Sequence, residues 1–290
     1  MFFAIERVFR NMIISGKAVV AGICGWPVFH SRSPIIHNYW IQKYGIDGAY
    51  VPFPISPENL ESCFNAIGPL GIAGLNVTVP HKEKAFQLMD EVDEAAQELK
   101  AVNTIFNQDG RLLGTNTDAF GFFESLRESF KIRSIRGGRA VLLGAGGAAR
   151  SIVSGLLKEG VNEVLIVNRT LERAEILASD FGAAIKPIKW SERSEVLDRT
   201  NMLINTTSLG MEGQPPLEIS LDLLDQETLV YDIVYVPLET SLLRAAKDRG
   251  NPVIGGIDML LHQARPGFRG WFGRDPEVDM ALRNRVLNTL

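Results

Sequence analysis

Cysteine is scarce in this sequence, and long apolar runs are missing from it. The 290 residues include only Cys24 and Cys63, which are too few for a disulfide framework or a four-cysteine zinc site. No uninterrupted apolar run approaches the roughly 20 residues of a membrane helix. Glu6, Arg7 and Arg10 lie where a secretion signal would be apolar. We therefore expect a cytoplasmic protein that does not bind membranes.

Positive charge and histidine are also in short supply. Thirty Lys and Arg residues stand against 34 Asp and Glu residues, a net charge of −4, so no basic surface for a nucleic-acid backbone is indicated. Three of the four histidines, His30, His37 and His81, show no metal-ligand spacing. We predict no metal and no nucleic-acid partner. The composition, 46% hydrophobic and 22% charged, is that of an ordinary folded protein.

The first part of the chain alternates short apolar segments with stretches whose apolar residues recur three or four apart. Strands are predicted at residues 18–23, 49–53 and 72–78. Such alternation favours a mainly parallel sheet covered by helices. Residues 104–107 and 111–115 flank an Asp-Gly pair typical of a hairpin turn. Because Met12 lies just upstream of the first strand, residues 1–11 are expected to lie outside the fold.

The same pattern restarts near residue 140. Strands are predicted at 140–143, 163–167, 184–188, 202–205, 229–233 and 252–254, with helices at 148–158 and 171–181. Helical segments 258–264 and 276–288 follow the last strand with no sheet of their own to cover. We expect them to pack back against the first domain. The prediction is an α/β fold with one domain of residues 1–117 plus 257–290 and a Rossmann-type domain of residues 118–256.

A glycine turn follows the strand at 140–143. The run Gly144-Ala145-Gly146-Gly147-Ala148-Ala149 fits the G-x-G-x-x-A fingerprint of dinucleotide-binding proteins. The first glycine permits the tight turn, the second admits a pyrophosphate, and the small final residue lets the helix pack on the strand. The alternative is a plain strand-to-helix turn. The strand-turn-helix context favours a dinucleotide.

The end of the next strand indicates which dinucleotide binds. A site that prefers NAD has an acidic residue there for the ribose, whereas this strand ends in Asn168-Arg169-Thr170, with Arg173 one turn later. Two guanidinium groups beside a threonine hydroxyl suit the 2′-phosphate of NADP. The alternative is that both arginines are solvated surface charges. We predict NADP(H) as the cofactor.

Three polar segments before the glycine turn are candidates for chemistry. Pro80 is well placed to start a helix, so Lys82 is predicted in its first turn, where the helix dipole disfavours a cation and helps it release a proton. An ordinary surface lysine is the alternative. Asp118 precedes an apolar helix and is either functional or an N-cap. Ser33, followed by Pro34, has the same two interpretations.

Taken together, these segments closely resemble the shikimate dehydrogenase family over nearly the whole chain after about residue 18. The matching motifs, in the family's order, are Gly25-Trp26-Pro27, Ser31-Arg32-Ser33-Pro34, residues 76–82, residues 101–104, Asn116-Thr117-Asp118, the glycine turn, Asn168-Arg169-Thr170, and residues 205–211, 232–235 and 255–263. The resemblance implies reversible NADPH-dependent reduction of 3-dehydroshikimate to shikimate, a step toward chorismate and the aromatic amino acids.

The resemblance also implies a role for each matching residue. Lys82 matches the catalytic lysine that exchanges a proton with the substrate oxygen, and Asp118 matches the carboxylate that orients it and binds a substrate hydroxyl. The remaining substrate residues are Ser31 and Ser33 for the carboxylate, Thr78, Asn103 and Gln263 for ring hydroxyls, and Asn76 and Tyr235. The remaining cofactor residues are Ile233, Gly256 and Met259 at the nicotinamide end, and Glu94.

The family architecture implies two domains on either side of a cleft, and it leaves a homodimer open. One departure from the family is Trp26, which stands where a smaller polar residue is usual. The nearest alternative is a quinate or quinate/shikimate dehydrogenase that uses NAD, which Ser33 and the arginine pair disfavour. A catalytically silent NADP-binding regulatory protein is disfavoured by the intact Lys82 and Asp118. A folate-linked dehydrogenase is disfavoured by the serine pair and Gln263.

Overall fold

The structure, a computed structural model, describes residues 14–130 and 135–290. The expectation for residues 1–11 concerns positions outside this part of the chain. Two units are present. One extends to Thr117 and includes Ala264–Thr289, and the other is Asp118–Gln263. The functional domain boundaries at 117/118 and 256/257 stay a prediction.

The first unit contains a six-stranded mixed sheet. Its strands are β1 Val19–Gly25, β2 Gly48–Pro54, β3 Ile72–Val77, β4 Glu91–Val92, β5 Thr104–Gln108 and β6 Arg111–Thr115, in the order β2-β1-β3-β5-β6-β4. The pairs β1/β2, β1/β3 and β4/β6 are parallel, and β5 is antiparallel to both β3 and β6. The predicted hairpin is therefore confirmed. Asp109 and Gly110 have φ of 51° and 89°, as this tight turn requires.

Two packed groups of side chains support that sheet. The helices of this part are α1 Ser33–Tyr44, α2 Leu60–Ile67, α3 Lys82–Gln87 and α4 Glu94–Leu99. Leu60 and Phe64 of α2 join Leu75 and Ile105 of the sheet in one apolar core. The other group is aromatic and contains His37, Trp40, Tyr50, Phe268 and Trp271. The last two belong to Ala264–Thr289, which lies in the first unit. The predicted helical segment 276–288 therefore packs there as expected. The expectation is wrong for residues 258–263, which belong to the second unit, where Met259 joins the apolar core.

The second unit is built on a fully parallel sheet. Its strands are β7 Arg139–Leu143, β8 Glu163–Asn168, β9 Ile185–Lys189, β10 Met202–Asn205, β11 Leu229–Asp232 and β12 Val253–Gly255, in the order β12-β11-β10-β7-β8-β9. This is the doubly wound order, with its switch point between β7 and β10. Each strand predicted in either part of the chain lies within two residues of its predicted bounds.

Both faces of the parallel sheet are buried. Ala140 and Leu142 of β7 contribute to one apolar cluster, whereas Val141 and Leu143 contribute to another. Because successive strand residues point to opposite faces, this alternation requires a covering layer on each side. The helices of this unit are α5 Asp118–Ser129, α6 Gly147–Lys158, α7 Leu171–Phe181 and α8 Ser241–Asp248.

The C-terminal helices differ from their predicted bounds. Helix α9 spans Gly256–Phe272, well beyond the predicted 258–264, although Pro266 lies inside it. Helix α10 spans Met280–Leu287 rather than 276–288, because Asp279 is extended and its side chain accepts a hydrogen bond from the Leu282 amide at 2.8 Å. Residue 279 is therefore an N-cap, and the helix cannot begin before it. No described helix is long and apolar enough to cross a membrane.

Candidate active site

The two predicted serines lie at the start of α1. Ser31 Oγ accepts a hydrogen bond from the Ser33 amide at 3.2 Å. Ser33 is the first residue of the helix and Arg32 is its N-cap, so the alternative interpretation of Ser33 as an N-cap is wrong. The reason is that the Arg32 carbonyl already accepts a hydrogen bond from Ile36 at 3.1 Å, which starts the helix one residue earlier. The Ser33 hydroxyl instead interacts with Tyr50.

A chain of polar side chains continues from Tyr50 across the sheet. The Tyr50 hydroxyl donates to Asn76 Oδ1 at 2.5 Å, and Asn76 Nδ2 donates to Thr104 Oγ1 at 3.0 Å. Asn103 Oδ1 accepts from the Thr117 amide at 2.9 Å. Burial raises the pKa of the Tyr50 phenol well above its usual value, so the phenol stays protonated and acts as a donor. Serine, asparagine and threonine groups are thereby held at fixed angles in the first unit.

Lys82 stands at the same end of β3 as Thr78. The Thr78 amide donates to the Cys24 carbonyl at 2.9 Å, and the Lys82 carbonyl accepts from the Val102 amide at 2.9 Å, next to Asn103. Lys82 lies in the first turn of α3, as predicted, but the helix begins at Lys82 itself, with His81 as its N-cap, and not at Pro80. The structure thus brings Thr78, Lys82 and Asn103 to one edge of the sheet of the first unit.

Asp118 and Gln263 belong to the second unit. Asp118 is the first residue of α5 and only 6% exposed. It lies inside the first turn rather than in front of it, so it is not the N-cap of this helix. One turn later, a Cβ atom on Gly121 would lie 2.7 Å from Gln263 Cβ and from the Met259 carbonyl oxygen. The absence of a side chain at 121 therefore lets α5 approach the part of α9 that carries Gln263.

The glycine turn has the geometry of a phosphate cradle. Gly144 has φ 108°, and a Cβ there would lie 2.7 Å from Thr206 Oγ1, so both backbone and space demand glycine. At Gly146, the N-cap of α6, and at Gly147, a Cβ would meet nothing within 4 Å. The space in front of this twelve-residue helix is open, and small residues keep it so. Free amides at a helix start suit a pyrophosphate. Ala149 behind them is fully buried, and Ala145 and Ala148 complete the turn.

The basic pair lies beside this turn, at the end of β8. Asn168 Nδ2 donates to the Thr170 carbonyl at 2.7 Å, and Thr170 is the N-cap of α7. Arg169, Thr170 and Arg173 are exposed. Within the described chain neither arginine forms an ion pair, unlike Arg150, which pairs with Asp180 at 2.5 Å. These side chains fit the 2′-phosphate of NADP.

The residues expected at the nicotinamide end come together within the second unit. Gly256 starts α9, and a Cβ on it would lie 2.0 Å from the Ile233 carbonyl oxygen. Met259 follows one turn later and is buried. Tyr235, which is predicted to bind substrate, is half-buried in the same unit. Glu94, by contrast, is an exposed residue at the start of α4 in the first unit. Its link to the cofactor stays a prediction.

Sequence reasoning did not include Tyr50 and Asp232 among the site residues. Tyr50 lies within an apolar strand and resembles an ordinary core residue. Asp232 offered a signal, since a carboxylate ends the otherwise apolar strand β11 and is fully buried there. Buried charges need dedicated partners, and such a residue is a candidate for a supporting role.

The second unit has a dinucleotide turn at the switch point of a doubly wound sheet, and the first unit has Lys82 near a cluster of polar side chains. This combination defines the class of protein as a nicotinamide-dependent dehydrogenase. Family models described as the shikimate dehydrogenase substrate binding domain and as shikimate / quinate 5-dehydrogenase match residues 23–105 and 126–211. The chain belongs to the shikimate dehydrogenase family.

Relatives and solved structures agree with this assignment. The chain is 52% identical over 281 residues to the shikimate dehydrogenase (NADP(+)) of Rhodospirillum rubrum, covering 95% of this chain and 99% of the relative. It is 50% identical over 276 residues to that of Paramagnetospirillum magneticum, covering 95% and 100%. A shikimate dehydrogenase crystallised with NADP+ superposes with a TM-score of 0.87 at 35% identity, covering 96% of this chain and 98% of that one. The Thermus thermophilus enzyme in complex with NADP(H) and shikimate gives 0.84 at 34% identity, covering 94% and 100%.

Proposed function

We propose that this chain catalyses the reversible NADPH-dependent reduction of 3-dehydroshikimate to shikimate, a step of aromatic amino-acid biosynthesis. The observation that carries the proposal is the placement of Lys82 beside Thr78 and Asn103 at one sheet edge, in a chain about half identical to named NADP-dependent shikimate dehydrogenases. The site residues below are part of the same proposal.

Substrate recognition rests on neutral polar groups. Ser31 and Ser33 hold the substrate carboxylate, Thr78, Asn103 and Gln263 bind ring hydroxyls, and Asn76 and Tyr235 complete the pocket. The Ser31 hydroxyl and the Asn76 amide are already fixed by hydrogen bonds within the protein. An analogue that lacks one hydroxyl leaves a buried polar group unpaired, which is a strong source of discrimination.

Lys82 exchanges a proton with the substrate oxygen. When a ketone accepts a hydride, negative charge develops on its oxygen, and an ammonium group stabilises that charge and donates the proton. In the oxidative direction the neutral amine takes the proton back. Asp118, buried at the start of α5, binds a substrate hydroxyl and supports the amine in this exchange.

The bound NADPH supplies the hydride. The amides of Ala145, Gly146, Gly147 and Ala148 meet its pyrophosphate, because the Cβ positions of Gly146 and Gly147 are open in front of α6. Gly144 shapes the turn, and its own amide donates to the Val167 carbonyl at 2.8 Å. Asn168, Arg169, Thr170 and Arg173 bind the 2′-phosphate. Ile233, Gly256 and Met259 form the surface for the nicotinamide, and Glu94 is a further contact.

The proposal is tested by initial rates of nicotinamide reduction, with shikimate or quinate crossed against NADP⁺ or NAD⁺. Shikimate with NADP⁺ is expected to dominate the four combinations. Dominant activity on quinate or with NAD⁺ would move the protein to another specificity within its family. The absence of activity in all four combinations would overturn the proposed reaction in favour of a regulatory role.

The finer assignments of location and assembly stay predictions. A cytoplasmic location is checked by cell fractionation. A homodimer is checked by light scattering on the purified full-length chain.

A further inference from the structure

Asp232 is a buried carboxylate with no catalytic assignment. It ends β11, where it pairs in register with Asn205 at the end of the neighbouring strand β10. Its side chain is completely inaccessible to solvent, and burial raises the pKa of this carboxyl. In the described chain it forms no ion pair. A buried charge that is balanced only by neutral donors is costly to keep unless those donors are well placed.

Three donors surround the carboxylate. Asp232 Oδ1 accepts from Asn205 Nδ2 at 2.9 Å and from the Val234 amide at 3.0 Å, and Oδ2 accepts from Thr240 Oγ1 at 2.7 Å. Thr240 is the N-cap of α8 and accepts from the Leu243 amide. The carboxylate therefore fixes the segment after β11 at both ends, at residue 234 and at residue 240.

The same carboxylate fixes the segment after β10 through Asn205. Asn205 Oδ1 accepts from the Thr207 amide at 3.0 Å and from Thr207 Oγ1 at 2.7 Å, while Nδ2 also donates to the Leu209 carbonyl at 3.2 Å. This segment lies against the glycine turn, since a Cβ on Gly144 would lie 3.0 Å from Thr207 Cγ2. On the other side, the Ile233 carbonyl lies against Gly256.

We propose that Asp232 is a positioning residue of the cofactor site, which locks the turns 205–209 and 233–240 into one surface for the nicotinamide half of NADP. The inference rests on the proposed function. Strand β11 lies three strands from β8 in the sheet, roughly 14 Å away at the usual strand spacing. The arginines after β8 are therefore independent of Asp232, and its effect is confined to one half of the dinucleotide.

Asp232→Asn tests this, because the amide keeps the shape and removes the charge. The measurement is calorimetric titration with NADP⁺ and, separately, with 2′,5′-ADP, which lacks the nicotinamide half. Loss of a hydrogen bond to a charged group predicts a Kd for NADP⁺ that rises about tenfold. The Kd for 2′,5′-ADP is expected to change less than about twofold, within the usual limit for independent sites. Asp222→Asn, an exposed aspartate of the same unit, is the control and should alter neither.

A second pair of variants covers the case in which Asp232→Asn does not fold. Thr207→Val removes the hydroxyl that donates to Asn205 and should reproduce the selective loss of NADP⁺ affinity, whereas Thr207→Ser, which keeps the hydroxyl, should restore it. An equal loss of affinity for NADP⁺ and for 2′,5′-ADP would show a general structural role and overturn the inference. Unchanged affinity for NADP⁺ would also overturn it. If the wild-type chain itself fails to bind NADP⁺, the proposed function fails instead.

Discussion

Backbone hydrogen bonds to Lys82 and to the preceding residue fix the position of Lys82. The Ala85 amide donates to the His81 carbonyl at 2.7 Å and the Val102 amide to the Lys82 carbonyl at 2.9 Å, so the first turn of α3 is anchored to the segment before β5 that carries Asn103. Lys82→Ala should lower kcat about 1,000-fold, the usual contribution of a general acid and base. The Kd for NADP⁺ should not change, because the glycine turn belongs to the other unit.

The matched control is Lys84→Ala. Lys84 lies in the same helix, is exposed and interacts with Gln87 at 3.3 Å, so its removal should leave kcat unchanged. Steady-state rates and a fluorescence titration with NADP⁺ make the comparison. If Lys82→Ala kept most of the turnover while Asp118→Asn abolished it, the assignment of the proton donor would be wrong.

His37 predicts a pH dependence of stability. The ring is fully buried and stacks on Tyr50 with 4.0 Å between centroids, and burial lowers its pKa from 6.5 to about 3. The unfolded chain therefore binds a proton below pH 6.5 that the folded chain does not. The stability is fully present above pH 6.5 and is lost as the pH falls toward 3, by about 1.4 kcal/mol per pH unit.

His37→Phe, which keeps an aromatic ring beside Tyr50, removes this proton. Urea unfolding followed by tryptophan fluorescence should show the wild type losing about 1.4 kcal/mol more than the variant between pH 7.5 and 5.5. Above pH 7 the difference between the two proteins should be constant. Parallel pH profiles over the whole range would show that His37 does not carry the effect.

At the scale of elements, the turn between β7 and α6 contains glycines with different roles. Gly144 combines φ 108° with a neighbouring Thr206 oxygen, so Gly144→Ala should destabilise the apo protein by about 1–3 kcal/mol. Gly146 has φ −93° and open space at its Cβ position. Gly146→Ala should leave the apo stability unchanged and weaken NADP⁺ binding, because the new methyl group occupies the phosphate cradle.

Thermal unfolding without ligand and titration with NADP⁺ separate the two effects. A Gly146→Ala protein that binds NADP⁺ normally would show that the open space in front of α6 is not the phosphate site. A Gly144→Ala protein with unchanged stability would mean that the turn relaxes at little cost.

Elements that follow from local chemistry could be predicted from the sequence, and elements set by distant contacts could not. The hairpin at Asp109-Gly110 and the glycine turn each depend on neighbouring residues, and both are confirmed. Helix α9 continues past Pro266 because its last turns pack in the first unit, where Trp271 donates to the Ile105 carbonyl at 2.9 Å. No pattern near Pro266 encodes that contact, which joins positions more than 100 residues apart.

The same distinction holds for the site. Lys82 and the arginine pair stand out by their place relative to a strand or helix end, so they could be proposed from the sequence. Tyr50 is hydrogen-bonded to Asn76, a residue of another strand, and Asp232 is hydrogen-bonded to Asn205 and Thr240. Supporting residues of this kind are defined by their partners, and those partners become neighbours only in the folded chain.

At the scale of the whole molecule, each unit has its own sheet and its own apolar clusters, and the two proposed ligands have most of their residues in different units. Hydrogen exchange with each ligand alone should reveal this division. A ligand at 100 times its Kd stabilises the state that binds it by about 2.7 kcal/mol, which slows exchange through unfolding of that unit about 100-fold.

NADP⁺ alone should therefore protect amides of the second unit, most strongly in residues 144–149 and 168–173. Shikimate alone should protect residues 31–33 and 76–82 of the first unit. Mass spectrometry of peptides that cover both units makes the comparison, and NAD⁺ at the same concentration serves as the control, since it lacks the phosphate that Arg169 and Arg173 are proposed to bind. Equal protection by NAD⁺ and NADP⁺ would contradict the role of the arginines. Protection of the first unit alone by NADP⁺ would contradict the assignment of the glycine turn, because a ligand stabilises first the unit whose unfolding would release it.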